Sequence, residues 1–142
     1  MRTHVTFGYP AEFVGAVGGE DILGISGVQW FVDLLHRVPA LCVSEDIVQE
    51  DWGVVIDANS GHTKFWIGLS VWHVNEWYVH FHHDHFAFLQ RFTKAGKSGL
   101  ERLIIDFHEI LAHDPSVSKI TWYKNSSRGI DLASGCAAPV NE

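Results

Sequence analysis

The feature that most constrains the fold is a pair of alternating stretches, 63-TKFWIGLSVW-72 and 76-EWYVHFHH-83. Apolar residues recur with period two in both, the pattern of strands with one face buried. The short gap at 73-HVN-75 makes them a hairpin. Phe65, Ile67, Leu69 and Val71 must share a face with Trp77, Val79 and Phe81, because a one-residue slip would turn one set to the wrong side. Opposed residues in a hairpin have position numbers of constant sum, and the shared face demands an even sum. A loop at 73–75 supplies it, with Asn75 in the left-handed conformation. Trp66, Gly68, Ser70 and Trp72 then stand opposite His82, His80, Tyr78 and Glu76 on the other face, where Gly68 leaves room for His80. That face is a second packed layer, an interface or a site.

The remaining elements follow from similar signals. The segment 3-THVTFGY-9 reads as a first strand. The Gly-rich 15-GAVGGEDILGISG-27 lacks the spacing of a phosphate loop and reads as a connection. Ser26 and Gln29 have the spacing of a capping box, and Val28, Phe31, Val32, Leu35 and Val38 repeat at helical spacing up to Pro39. The segment 52-WGVVID-57 is a strand joined to 63–72 by 58-ANSGH-62. Asp84 is a candidate N-cap for a short helix at 86–92. The segment 93-TKAGKSG-99 reads as a loop, and Ser98 and Glu101 form a capping box for a second long helix, whose buried face is Leu100, Leu103, Ile104, Phe107 and Leu111. Asp114-Pro115 ends it. The segment 118-SKITWYK-124 is a last strand, and 125–142 is a loop-like C-terminal tail. The expected architecture is α+β: an antiparallel sheet of about five strands with two helices packed on one face, in the order β-α-β-β-β-α-β, as a single domain over 1–142.

With 46% apolar residues, nine Phe and six Trp, the chain carries enough apolar surface to fold without disulfides. Two cysteines far apart give no zinc-finger spacing and suit a reducing compartment. Cys42, between apolar neighbours, is expected to be buried. No apolar run is long enough to span a membrane, and the N-terminal stretch lacks a signal-peptide core, so a cytoplasmic location is expected. The net charge is −7, with basic residues scattered rather than striped. Nucleic acid is therefore not the expected partner, whereas a basic protein would suit the acidic surface.

The chemistry concentrates in 80-HFHHDH-85, with four histidines and an aspartate in six residues. His80 and His82 point to one side of a strand, and Asp84 and His85 lie beyond its end. Together they offer nitrogen and oxygen ligands to zinc or another divalent transition metal, whose bound water becomes a hydroxide nucleophile near neutral pH. The run resembles the H-x-H-x-D-H motif of metallo-β-lactamase-fold hydrolases. That resemblance implies His80 and His82 as ligands of a first metal, and Asp84 and His85 as ligands of a second. It also implies a four-layer sandwich and further ligands from later loops. The chain departs on several counts: it is short, bulky 86-FAFLQRF-92 follows the motif, and only His108, His113, Asp114 and Asp131 lie downstream. The other reading of the cluster is an aromatic–histidine surface, with Trp66 and Trp72 as stacking partners.

Other candidates are structural. Asp106, Glu109 and His113 share a helix face that reads as solvated, with Glu109 and His113 supporting a helix end. Ser134 and Cys136 lack an identifiable base. Trp52, Trp66, Trp72, Trp77 and Trp122 are expected in the core, with one or two left at a surface. The layout of 50-EDWGVVI-56, 64-KFWIGLSVW-72, 77-WYVHFHH-83, 100-LERLIIDFHEIL-111 and 119-KITWY-123 is similar to that of small bacterial α+β proteins, some of them similar to immunity proteins of toxin systems. The resemblance implies stoichiometric protein binding rather than catalysis. The expectation is a non-enzymatic protein-binding module with no cofactor, its surface formed by Trp66, Trp72, Tyr78, His80 and His82. A small metal-dependent hydrolase using His80, His82, Asp84 and His85 is the alternative. The aromatic face is expected to be covered, either by the tail around Ile130 and Leu132 or by a second copy in a two-fold dimer that acid would weaken.

Overall fold

The computed structural model describes residues 1–9, 25–73, 75–84, 89, 92–127 and 129–140. The described elements are β1 (His4–Gly8), α1 (Ile25–His36), β2 (Cys42–Glu50), β3 (Gly53–Ser60), β4 (Thr63–His73), β5 (Glu76–His83), α2 (Lys94–His113), β6 (Ser118–Ser126) and β7 (Gly129–Cys136). The seven strands form one antiparallel sheet in the order β2-β3-β4-β5-β1-β6-β7. The α+β class and the antiparallel sheet match expectation, but the sheet has seven strands rather than about five. The two additional strands, β2 and β7, are its edges. The tail read as a loop is β7 over Gly129–Cys136, paired with β6.

The hairpin register is the one that alternation demands. Trp66 pairs with His82, Gly68 with His80 and Ser70 with Tyr78, and Asn75 has φ 61°. A register shift next to the turn pairs His73 with Glu76, in place of the expected pairing of Trp72 with Glu76. Phe65, Ile67, Leu69, Trp77, Val79 and Phe81 are all buried. They join Val5 and Phe7 of β1, Val54 and Ile56 of β3, and Trp122 of β6 in one core.

Both helices pack on that core. Phe31 of α1 meets Phe107 of α2 edge-on at 5.9 Å, and Phe107 meets Phe81 at 5.0 Å. The buried face of α2 is Leu100, Leu103, Ile104, Phe107 and Leu111, as read from the sequence, together with Gly96. Its start is not. The helix begins at Lys94 with Thr93 as N-cap, whose Oγ1 accepts from the Gly96 N–H at 2.9 Å, so Ser98 and Glu101 lie inside it. Ser26 likewise lies within α1, and Gln29 donates forward to Asp33 at 2.8 Å rather than capping. The helix expected at 86–92 falls largely outside the described residues.

Topology explains why both helices share a face. In this antiparallel order β1 runs parallel to β2 and β5 runs parallel to β6, with α1 and α2 as the crossovers. The first crossover moves toward one edge, and the second, starting from an oppositely directed strand, moves toward the other. A half-turn in the plane of the sheet maps one onto the other. Crossovers of the same hand, as parallel connections overwhelmingly are, therefore place both helices on one side. No described helix covers the opposite face.

Candidate functional site

The helix-free face is built row by row from the strand register. One row runs Val55, Gly68, His80, His4, Tyr123 across β3, β4, β5, β1 and β6. The adjacent row contains Asp57, Trp66 and His82, and the row on the other side contains Ser70, Tyr78, Thr6 and Thr121. His4 was not singled out from the sequence. Its signal was available, since the alternation of Val5 and Phe7 into the core turns His4 and Thr6 outward.

The side chains satisfy one another. His80 Nδ1 lies 2.9 Å from His82 Nε2, so one ring nitrogen donates to the other. Trp66 stacks on His82 with centroids 4.2 Å apart and planes within 14°. Tyr78 stacks on His80 at 5.2 Å, and His4 stacks on both Tyr78 and His80 at 5.8 Å. Trp72 tilts against Tyr78 at 5.4 Å and Trp52 against His80 at 5.2 Å. Thr3 Oγ1 is 2.9 Å from His4 Nδ1. The His80 ring occupies the space above Gly68, where a Cβ would come within 2.2 Å of its Nε2.

Burial governs the protonation of this group. The His80 imidazole is pushed down to about 3, chiefly by burial and then by its neighbours His82 and His4. Burial pushes His4 down to about 4 and raises the Tyr78 phenol to about 12. His4 and His80 are therefore neutral at pH 7, and Tyr78 keeps its proton.

The proposed metal ligands separate into groups. His80 and His82 do converge, but on each other. Asp84 lies past the end of β5, its backbone N–H donating to the Lys64 carbonyl, and His85 lies outside the described residues. Among the described residues no three His, Cys, Asp or Glu side chains are placed to hold one metal ion. Of the tryptophans, Trp77 and Trp122 are fully buried, Trp66 and Trp72 are half-buried on the helix-free face, where His4, Thr6 and Ser70 are buried, and Trp52 is 41% exposed. The remaining candidates are structural. Ser134 Oγ accepts from the Lys124 N–H and donates to the Asp131 carbonyl. His113 Nδ1 donates to the Glu109 carbonyl at 2.7 Å, and Arg102 pairs with Asp106. Cys42, expected to be buried, is exposed on the edge strand β2. The tail does not cover the face either: Ile130 and Leu132 belong to β7, and Leu132 is 60% exposed.

Two clefts flank Trp66. One, of about 420 Å3, opens at the end of the sheet between His82, His83, Asp84, Leu100 and Lys124. The other, of about 610 Å3, lies toward the β2 edge and includes Trp52, Asp57 and Glu50. No helix is long and apolar enough to cross a membrane among the described residues. Comparison with family models, curated proteins and solved structures found no match to this chain.

Proposed function

We propose that the chain is a non-enzymatic protein-binding module and that the helix-free face of its sheet is the contact surface. The observation that carries this reading is a broad aromatic–histidine face with no described helix over it, on which Trp66, Trp72, Tyr78, His80 and His82 are half-buried around the buried His4, Thr6 and Ser70. Contiguous aromatic surface of this kind on a small domain marks association sites. Its polar groups favour that use over catalysis. The histidines bond and stack among themselves rather than around an open point where a reacting atom would sit. The proton between His80 and His82 occupies a lone pair that a metal ion would need. An immunity-like role, binding one protein stoichiometrically, fits this reading.

The test is affinity capture with wild-type protein and with a Trp72→Ala/Tyr78→Ala variant whose fold is verified by circular dichroism. Binding of any captured protein is then measured by titration with purified material. The expected result is a one-to-one complex with the wild type and at least tenfold weaker binding by the variant, as for loss of about 1.4 kcal/mol at a hot spot. Equal affinity for both proteins, or no stoichiometric partner, defeats the proposal. Metal content is the second measurement. A stoichiometric transition metal in untagged protein, lost in a His80→Ala/His82→Ala variant, would replace this reading with the hydrolase.

A further inference from the structure

We propose that the cleft between Trp66 and the β2 edge receives the arginine or lysine side chain of a basic protein partner. The inference rests on the protein-binding reading and assigns the chemistry of its partner. The cleft is made by register. Val48 of β2 pairs with Val55 of β3, which gives an apolar floor, and Asp57 of β3 pairs with Trp66 of β4. Trp52, in the β2–β3 turn, and Glu50, at the end of β2, stand at one side, and Asp84 at the other. Among the described residues the lining thus holds three carboxylate residues and two indoles, and no lysine or arginine. Trp52 and Val48 are 41% and 49% exposed.

This combination selects for a particular ligand chemistry. An indole face attracts a cation through its quadrupole, and a guanidinium also stacks on it as a plane. The carboxylates of Glu50 and Asp57 beside the indoles pair with the same cation. Anionic partners are repelled, which removes nucleic acid and phosphate. Among the described residues these carboxylates belong to no group of three that could hold a metal ion, so a long organic cation fits better than a compact one. The chain's net charge of −7 favours approach of a basic surface from a distance. A second copy of this chain would bring the same carboxylates face to face, so charge complementarity points to a different, basic protein.

The test is an NMR titration of 15N-labelled protein with acetyl-Gly-Arg-Gly-amide and with its citrulline counterpart, which keeps the shape and removes the charge. The expected result is saturable movement of the Trp52 and Trp66 indole resonances with the arginine peptide and about threefold or greater weakening with citrulline. Asp57→Asn, which preserves shape, and Trp52→Ala each weaken arginine binding about threefold, whereas Glu101→Gln on the exposed face of α2 leaves it unchanged. An equal response to both peptides, or shifts confined to other residues, overturns the proposal. So does a self-association that is firm at low salt, about 0.1 M, and that Trp52→Ala abolishes, which would give the cleft to a second copy. If the cleft fails this test while a captured protein is still lost with Trp72→Ala/Tyr78→Ala, only the cation site falls. If no protein partner is found, the parent reading falls.

Discussion

Gly68 and His80 face each other across β4 and β5 with no space for a methyl group between them. Gly68→Ala is expected to displace the His80 ring, break its bond to His82 and cost about 1–3 kcal/mol. In a His80→Ala background the same substitution should cost much less, because the atom it meets is gone. Chemical denaturation of all four proteins checks this, and additive effects would show that the ring is not held against Gly68. The parity that puts Gly68 opposite His80 was legible from alternation alone. The hydrogen bond between His80 and His82 was not, because rotamers and three-strand stacking lie outside a period-two pattern. The same histidines set a pH response. His4 and His80 have their folded-state values pushed to about 4 and about 3, below the ordinary 6.5. Unfolding lets them take up protons, so their neutral forms contribute stability above pH 6.5 that is lost as pH falls toward 4. The loss from pH 6.5 to 5.5 is at most about 1 kcal/mol per histidine, reduced where solvent screens the ring. Thermal melts of wild type and His4→Gln/His80→Gln across this range should converge at acid pH, and parallel curves would rule the histidines out as its source. His108 makes a different demand. Its Nδ1 accepts from the buried Trp122 Nε1–H at 3.1 Å, and burial pushes its own protonation to lower pH. His108→Phe leaves that indole donor without its acceptor and should destabilise by about 1–3 kcal/mol.

The termini of α2 and the two edge strands are where sequence and structure part. Gly96 and Gly99 made 93–99 read as a loop, since glycine costs a helix about 1 kcal/mol relative to alanine. Both positions have packing reasons to be small. Gly96 is buried, and a Cβ at Gly99 would press on Thr63 at 3.2 Å. Thr93 therefore caps the helix five residues before the capping-box signal at Ser98. Thr93→Ala should lower stability by about 1 kcal/mol, while Ser98→Ala, inside the helix, should change it by less than about 0.5 kcal/mol. A larger effect at Ser98 in denaturant titrations would reassign the cap. The strands β2 and β7 were missed for a related reason. An edge strand buries little, so 42-CVSEDIVQE-50 and 129-GIDLASGC-136 need no alternation. Charges in the first and glycines in the second resemble loop composition. Partner strands, which the local sequence does not encode, hold them in the sheet.

At the scale of the molecule, two same-handed crossovers put both described helices on one side, and no described helix lies over the aromatic face. The sequence supplied the two helical faces and the central hairpin. The position of β1 between β5 and β6 was not legible, because long-range pairing leaves no local periodicity. That insertion completes the surface, bringing His4 and Thr6 beside His80 and Tyr78. The association behaviour of the free chain follows from what surrounds the aromatics. Self-pairing through this face would bury indoles, but it would also oppose Glu50, Asp57 and Asp84 of one copy to those of another. At about 0.1 M salt the Debye length of roughly 10 Å lets those charges repel, and at about 1 M it falls to roughly 3 Å. The free chain is therefore expected to sediment as a monomer at low salt and to show increasing dimer as salt rises, with Trp52→Ala suppressing the increase. A complex with a basic partner should respond in the opposite sense and weaken with salt. Sedimentation velocity at the two salt concentrations separates the cases. A dimer that is firm at low salt and dissociates at high salt would mean that complementary charges join two copies, and the acidic cleft would then be satisfied by the chain itself.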